Sequence, residues 1–259
     1  MQPTDHSTEK TVWYNLSKDF RNGALLGIGV SLLNPFFYAK NMRLIGAPFH
    51  FRHCFRGTGI NAITGIPQAA VQISTLGLMK KILFSDQTFG QTLLVSSVAG
   101  ALSGMTTVPV ELVVQNIQKS GHEGYHTQRV VRDVVRINGI RGLFAGSGAL
   151  MTREVVYVAS YYVVAERISS IFAASFGQSR WTEVMGAGIS GAVGGAVSTP
   201  LDYLRGLKQD QAVKRRPENY RTIISRAGLS TCFRGVMERS LAVALACIVM
   251  NQGSKLLIE

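Results

Sequence analysis

The 259-residue sequence contains few charged residues for its length and only three cysteines. Charged side chains make up 16% of the residues and hydrophobic ones 46%, so the chain has enough apolar surface to bury and is not intrinsically disordered. Three cysteines are too few for a disulfide scaffold of this size. Collagen-like and coiled-coil repeats are also absent from the sequence. The remaining classes are an apolar globular domain and a polytopic membrane protein.

Long uninterrupted apolar runs are missing, but six stretches have the length of membrane-spanning segments. They cover about 17–45, 58–83, 90–118, 147–172, 181–209 and 236–258. Gly, Ser, Thr, Gln or single charges interrupt each stretch, which predicts a bundle with a polar interior rather than isolated anchors. Stretches one, three and five each contain a Gly-x-x-x-Gly pair, which favours close helix packing. These pairs are Gly23/Gly27, Gly100/Gly104 and Gly191/Gly195.

The net charge of +12 is unevenly distributed along the chain. The connections 40–56, 119–142 and 205–234 contain 4, 5 and 8 basic residues against 0, 2 and 2 acidic ones. The segments at the other helix ends are balanced, with seven bases and seven acids. Positive charge on alternate connections is the orientation bias of membrane proteins. A nucleic-acid-binding protein would not restrict its bases to alternate connections, so we expect no nucleic-acid partner.

A threefold repeat runs through the sequence. Cys54-Phe55-Arg56-Gly57 recurs as Leu143-Phe144-Ala145-Gly146 and as Cys232-Phe233-Arg234-Gly235, with the aromatic residues 89 positions apart. A proline precedes each copy, at Pro35, Pro109 and Pro200. Each repeat is therefore predicted to be a helix with proline near its end, a basic connection, and a second helix that begins at Phe-x-Gly.

A short amphipathic helix is predicted in the connections of the second and third repeats. In the second repeat, five apolar side chains are expected on one helix face beside three arginines. They are Val130, Val131, Val134, Val135 and Ile137.

These repeats resemble the mitochondrial carrier family. The best copy of the family's proline–acid–base signature is Thr199-Pro200-Leu201-Asp202-Tyr203-Leu204-Arg205. Val108-Pro109-Val110-Glu111 is half a copy, and the segment from Pro35 to Lys40 keeps the base but has Phe37 where the acid belongs. The resemblance implies an all-α membrane protein, monomeric, with six transmembrane helices in three two-helix repeats of pseudo-threefold symmetry. The repeats cover about 17–83, 90–172 and 181–258 of a single domain (1–259), and the first has a shortened connection.

In the family, acids and bases of the odd-numbered helices pair and close the matrix side of the bundle. Carried over by position, Glu111 is expected to pair with Arg205, and Asp202 with Lys40. Phe37 and Val114 occupy the positions of the third pair, so both of its charges are lost together and no buried charge is orphaned. Gln118 and Gln209 match the family's bracing glutamines, and Leu44 replaces the first of them.

The opposite gate of the family, formed by the ends of the even-numbered helices, is incomplete in this sequence. Lys80 supplies a base, but Gly77 and Ser254 replace acids, and Ser169 replaces the base that should follow Glu166.

The family's three substrate-contact positions lie seven residues after the glycine of each even-numbered helix, at Thr64, Arg153 and Ala242. A mid-helix Arg153–Glu154 pair in an apolar segment is a candidate functional site. In the family, an Arg-Glu pair at this place suggests an amino-acid-like or zwitterionic substrate; the alternatives are a self-neutralising structural pair and an arginine that reaches the lipid headgroups. Tyr157, one turn further, matches a nucleotide carrier, because an aromatic ring can stack on a purine. A plain packing role is the alternative for Tyr157. Arg239 with Glu238 is interpreted as part of the structure of the sixth helix.

No catalytic, metal-binding or cofactor-binding constellation is evident, because the five histidines lack ligand spacing. An enzyme is therefore not expected. Arg56, Gly57, Arg234 and Gly235 resemble the family's cardiolipin motif, in which a helix N-terminus and a base meet a lipid phosphate.

The resemblance implies a carrier that exchanges a charged metabolite, such as an ATP/ADP-like nucleotide, across the mitochondrial inner membrane by alternating access. The alternatives are an amino-acid or zwitterion carrier that uses Arg153 and Glu154, and a carrier-like adaptor that does not transport. The degraded first repeat also resembles carrier-like proteins that intracellular bacteria deliver to host mitochondria. The N-terminal residues 1–15 are not Arg-rich, so no cleaved presequence is expected.

Overall fold

The computed structural model describes residues 6–45, 51, 54–55, 58–83, 88–120, 127–228 and 230–258, and within these ranges all regular structure is helical. The α-helices are α1 (His6–Ser31), α2 (Asn34–Ile45), α3 (Thr58–Leu83), α4 (Phe89–Ser120), α5 (Thr127–Asn138), α6 (Ser147–Ala159), α7 (Ala165–Phe176), α8 (Arg180–Lys214), α9 (Tyr220–Ala227) and α10 (Val236–Ile258). A π-helical turn, Ser160–Val164, joins α6 to α7. The helical segments agree with the six predicted stretches to within a few residues, except that α1 begins eleven residues before the first stretch.

The long helices form a closed ring in chain order. The most extensive contacts join α1 to α3, α4 to α6, and α8 to α10. Contacts of α3 with α4, of α6 and α7 with α8, and of α10 with α1 and α2 complete the ring. Towards their C-terminal ends, α4 also contacts α2 and α8. The first, third and fifth predicted spans, which correspond to α1–α2, α4 and α8, therefore approach one another there. The assignment to three symmetric repeats stays a prediction.

The predicted Gly-x-x-x-Gly pairs lie where two neighbouring helices of the ring approach closely. A Cβ atom at Gly191 would lie 2.9 Å from the Cα atom of Ala244, and one at Gly195 would lie 2.9 Å from the Cα atom of Ser240. The pairs on α1 and α4 contact the backbones of α3 and α6 in the same way. Any side chain at these positions would therefore push the two helices apart.

The Phe-x-Gly motif starts α6 and α10 by the same local structure. A short 3₁₀ turn precedes each glycine, Ile140–Phe144 before Gly146 and Ser230–Phe233 before Gly235. Both glycines have positive φ, 82° and 80°, which an L-residue with a side chain adopts only with strain. Gly57, in the first copy, lies outside the described residues.

The first predicted span, α1–α2, differs from α4 and α8 at its proline. A turn at Leu32–Leu33 separates α1 from α2, and Pro35 lies in the first turn of α2. The buried Asn34 donates a hydrogen bond from Nδ2 to the carbonyl oxygen of Cys54 at 2.9 Å. Pro109 and Pro200, in contrast, lie inside continuous helices.

The predicted amphipathic connections are helices α5 and α9. Val130 and Val134 of α5 are fully buried against a cluster that includes Val213 of α8. The prediction was wrong for Val135 and Ile137, which are 37% and 46% exposed. At about 100° per residue Val135 turns away from the groove between α4 and α8. Ile137 lies on the same side as Val130 but next to the end of α5, so the buried stripe is both narrower and shorter than the apolar pattern.

Within the described residues, three helical segments are long and apolar enough to cross a membrane. They are Phe89–Gln118, Ile140–Phe176 and Arg180–Lys214. The prediction of six spans therefore stays a prediction for the other three segments.

Candidate functional site

Asp202 is the centre of a buried charge network inside the ring. Its side chain is fully buried on α8, and four cationic groups surround it. Lys40 Nζ and Arg239 Nη1 lie 2.8 and 2.9 Å from Oδ2. Arg153 Nη1 and Arg205 Nη2 each lie 2.9 Å from Oδ1. One carboxylate therefore connects α2, α6, α8 and α10.

Glu111 on α4 is the second carboxylate of this network. Arg153 approaches it with both terminal nitrogens, Nη2 at 2.6 Å from Oε1 and Nη1 at 3.0 Å from Oε2. Arg205 Nη1 also pairs with Oε2 of Glu111. Such two-pronged guanidinium–carboxylate contacts are the strong, geometrically specific kind. Glu111 thereby joins α4 to α6 and α8.

The structure brings together both ion pairs expected from the sequence, Lys40 with Asp202 and Glu111 with Arg205. The two expected bracing glutamines lie beside them. Gln209 Oε1 accepts a hydrogen bond from Arg205 Nη1 at 3.1 Å, and Gln118 Oε1 accepts one from Asn41 Nδ2 at 2.7 Å. The side chain of Leu44 lies outside the described residues.

Phe37 and Val114, which replace the third pair, line one pocket together with Lys40 and Glu111. Val114 is buried. The two apolar side chains therefore leave an open space beside the charge network where the family places an ion pair.

Arg239 and Glu238, interpreted from the sequence as part of the structure of the sixth helix, do not pair with each other. Glu238 pairs instead with Arg43, at 3.5 Å. Arg239 is buried and points into the ring, where Nη1 reaches Asp202 and Nη2 donates to Ser198 Oγ at 2.8 Å. Consecutive residues on a helix point about 100° apart, and here Glu238 turns towards Arg43 of α2 while Arg239 turns into the ring. An isolated arginine in an apolar helix was the available signal.

Arg153 and Glu154 lie together in a cavity between the helices. Two adjoining pockets of about 150 and 140 Å³ share Arg153 and Glu111 in their walls. Arg153 Nε donates to Glu154 Oε1 at 2.9 Å, and Gln68 Nε2 on α3 donates to Glu154 Oε2 at 3.1 Å. The sequence reading missed Gln68, which could have been found as a polar residue in an apolar helix.

Of the other predicted contact residues, Tyr157, Ala242 and Thr64, only Tyr157 lines the cavity among the described side chains. Tyr157 lines the second pocket, and its hydroxyl donates to Met250 Sδ at 3.0 Å. Ala242 is fully buried. Thr64 lies on α3, but its side chain is outside the described residues.

The predicted lipid-binding positions are described only in the third repeat. Arg234 is exposed, directly before Gly235 and the N-terminus of α10. Arg56 and Gly57 lie outside the described residues.

At the opposite end of the helices, Glu166 is exposed and Ser169 packs against Gly186. The side chains of Lys80 and Ser254 lie outside the described residues. A different pair, Glu183 of α8 with Lys255 of α10, is found at this end.

The family described as "Mitochondrial carrier protein" matches residues 85–176, which include α4, α5 and α6. A protein from Dictyostelium discoideum, "Mitochondrial substrate carrier family protein X", is 26% identical over 73% of this chain and 65% of its own length. The chain thus spans about two thirds of that relative.

Two further relatives have substrates in their names. The "Mitochondrial S-adenosylmethionine carrier protein" of Mus musculus is 24% identical over 81% of both chains. The "Thylakoid ADP,ATP carrier protein, chloroplastic" of Arabidopsis thaliana is 23% identical over 79% of this chain and 50% of its own. Over residues 85–176 and in these relatives, the chain is thus similar to the mitochondrial carrier family, and its acid–base signatures at Glu111 and Asp202 resemble those of the family.

Proposed function

We propose that this chain moves a small charged metabolite across the mitochondrial inner membrane by alternating access and exchange, with six helices crossing the bilayer. Members of its family are transporters rather than enzymes. The observation that carries the proposal is the cavity between the helices, whose walls hold Arg153 and Glu154. Ionisable side chains inside a membrane bundle are costly, so they mark a substrate path.

The substrate class that best fits this cavity is a metabolite with an α-amino acid group. A guanidinium binds a carboxylate, and a neighbouring carboxylate binds an ammonium group, so Arg153 and Glu154 match both ends of a zwitterion. Gln68 holds the carboxylate of Glu154 in place by donating a hydrogen bond to Oε2 of Glu154. Relatives are named for S-adenosylmethionine, glutathione and glutamate, three compounds that each contain this group.

A nucleotide is the second candidate, because Tyr157 lines the cavity that contains Arg153. Its ring offers a stacking surface for a purine, and Arg153 suits a phosphate. A relative is named as an ADP,ATP carrier. Glu154 weighs against this candidate, since its charge repels phosphate.

The charge network is proposed to act as the gate on one side of the cavity. Lys40 with Asp202, and Glu111 with Arg205, join helices that meet at their C-terminal halves, and Gln118 and Gln209 brace them. Breaking these pairs would let α2, α4 and α8 separate, and the cavity would open on that side. We place this side in the matrix, with the basic connections.

Two further assignments follow from the family. Arg234 and Gly235 at the N-terminus of α10, and their counterparts Arg56 and Gly57, are proposed to bind cardiolipin, because an exposed base beside a helix N-terminus suits a phosphate. The inner membrane in question belongs to the mitochondrion, or to a host mitochondrion if the protein is delivered by a bacterium.

Uptake by the purified protein in liposomes tests the proposal. Amino acids, nucleotides and carboxylates are offered in parallel, and we expect Arg153→Ala to abolish uptake. Arg153→Lys and a thermal unfolding scan separate loss of binding from loss of fold. Arg167→Ala is the matched control, because Arg167 is an exposed arginine on the same helical segment.

Glu154→Gln separates the two substrate classes. It should strongly reduce uptake of a zwitterion and spare or improve that of a nucleotide, whereas Tyr157→Ala should do the reverse. Uptake that is indifferent to Arg153→Ala would contradict the central site, and the absence of uptake for every class would favour a carrier-like adaptor.

A further inference from the structure

The charge network does not balance. Its described members are four cationic side chains and three carboxylates, and each is at most a quarter exposed. They are Lys40, Arg153, Arg205 and Arg239 against Glu111, Glu154 and Asp202. One positive charge is thus left over within the ring. A buried ionic charge is stable only when it is paired, so the surplus calls for an anionic partner.

Arg239 has unused hydrogen-bonding capacity in the second pocket. Its Nε donates to Gly195 O at 3.2 Å and to Ser198 Oγ at 3.3 Å, Nη2 donates to Ser198 Oγ, and Nη1 reaches Asp202. A guanidinium has five N–H groups, so two of them have no partner among the described residues. The two unpartnered N–H groups are on the terminal nitrogens, Nη1 and Nη2. A second carboxylate could accept hydrogen bonds from both.

Arg239 shares its pocket with the proposed zwitterion site. The second pocket is lined by Arg153, Glu154 and Arg239, whereas Lys40 and Arg205 line only the first. Arg153 and Arg239 bond to opposite oxygens of Asp202, which holds the two guanidinium groups on either side of one carboxylate. A substrate bound to Arg153 is therefore within reach of Arg239.

Gln72 adds an unpaired donor to the same pocket. Its side chain is 2% exposed and its Nε2 has no hydrogen-bond partner among the described residues. It lies one helical turn from Gln68, on the same face of α3. A buried amide without a partner is costly unless a ligand satisfies it.

We propose that the transported amino acid carries one net negative charge, that is, a second acidic group besides its α-amino acid group; this inference rests on the proposed function. Arg153 and Glu154 bind the α-carboxylate and the ammonium. Arg239 binds the second carboxylate, with the Gln72 amide as a further donor. Binding of such a substrate neutralises the surplus charge of the network, and binding of a neutral amino acid does not.

L-Glutamate and L-glutamine test this inference, because they have nearly the same shape and differ by one charge. In liposomes at low substrate concentration, the wild-type protein should take up glutamate at least about tenfold faster, the value expected for one charged hydrogen-bond contact. Arg239→Gln should lower this ratio towards one, and Arg239→Lys should retain part of it. Arg226→Gln, at an exposed arginine, should leave the ratio unchanged.

The outcomes distinguish the inference from the proposed function. Equal uptake of the two amino acids that still requires Arg153 overturns the inference and leaves the proposed function standing. Failure to take up either amino acid overturns both the inference and the amino-acid proposal. Thermal unfolding of the wild-type protein gives a readout that needs no variant: glutamate should raise the Tm more than glutamine, and an equal rise contradicts the assignment.

Discussion

The charges at the two ends of α8 differ in burial and in what they connect. Asp202 is fully buried and bonds to cations from α2, α6, α8 and α10. Glu183, about 28 Å away along the same helix by its rise per residue, makes a single ion pair with Lys255 of the neighbouring α10. The two partners are 39% and 45% exposed.

The comparison distinguishes buried ion pairs, which hold the helices of the ring together, from exposed ion pairs on its surface, which contribute little to stability. If the buried carboxylate is removed, several of the four cations around it are left without a compensating charge. If one member of an exposed pair is removed, water solvates the other. In the proposed transport cycle the network is therefore the structure that must open and reform, and the end near Glu183 closes with little help from charge pairs among the described residues. Four changes test this comparison.

Asp202→Asn should have the largest effect. It removes the charge that holds four cations, and breaking a buried pair costs about 3–5 kcal/mol, so we expect a large loss of thermal stability and no uptake. Asp210→Asn is the control on the same helix, because Asp210 pairs with the largely exposed Lys214. Equal stability of the two variants in a thermal unfolding assay would show that Asp202 does not hold the ring together.

Gly100→Ala should have the next largest effect. The added Cβ atom would lie 2.8 Å from the carbonyl oxygen of Glu154, so α4 and α6 must separate and the site shifts with α6. Overpacking of this kind costs about 1–3 kcal/mol, which a lowered Tm and slower uptake would report. Gly90→Ala, near the start of α4 with open space around it, should leave both unchanged. A tolerated Gly100→Ala would contradict the close packing.

Phe37→Asp and Val114→Lys together should restore the third ion pair. Both residues line one pocket beside the charge network, so either single change introduces a charge without its designed partner. The double variant should be more stable than the sum of the single effects predicts, by about 0.5–3 kcal/mol of coupling. Purely additive losses of stability would mean that the two positions do not meet.

Lys255→Ala should have the smallest effect. Exposed ion pairs contribute about 0–1 kcal/mol, so the Tm and the uptake rate should both stay close to the wild-type values. A loss of uptake comparable with that of Asp202→Asn would show that Lys255 and Glu183 take part in closing the opposite end.

Several parts of this structure could be predicted from sequence because they depend on local chemistry. Gly146 and Gly235 begin α6 and α10 since both need positive φ, and the spacing of Phe144 and Phe233 identifies them. The failure at Val135 and Ile137 has an equally simple cause. An apolar pattern shows which side chains avoid charge, but not how wide or how long a groove the neighbouring helices offer.

The amino-acid sequence by itself determined the helices and their proline and glycine breaks, since these follow from spacing along helices of fixed geometry. The pairing of Lys40 with Asp202 and of Glu111 with Arg205 was expected from the resemblance to the mitochondrial carrier family. Only the tertiary structure decided that Arg153 and Arg239 join the same carboxylate and that Gln68 holds Glu154. These contacts depend on the rotation of each helix about its own axis and on the distance between helices. Both are fixed by packing around the whole ring, where glycines such as Gly100 and Gly191 permit the close approach.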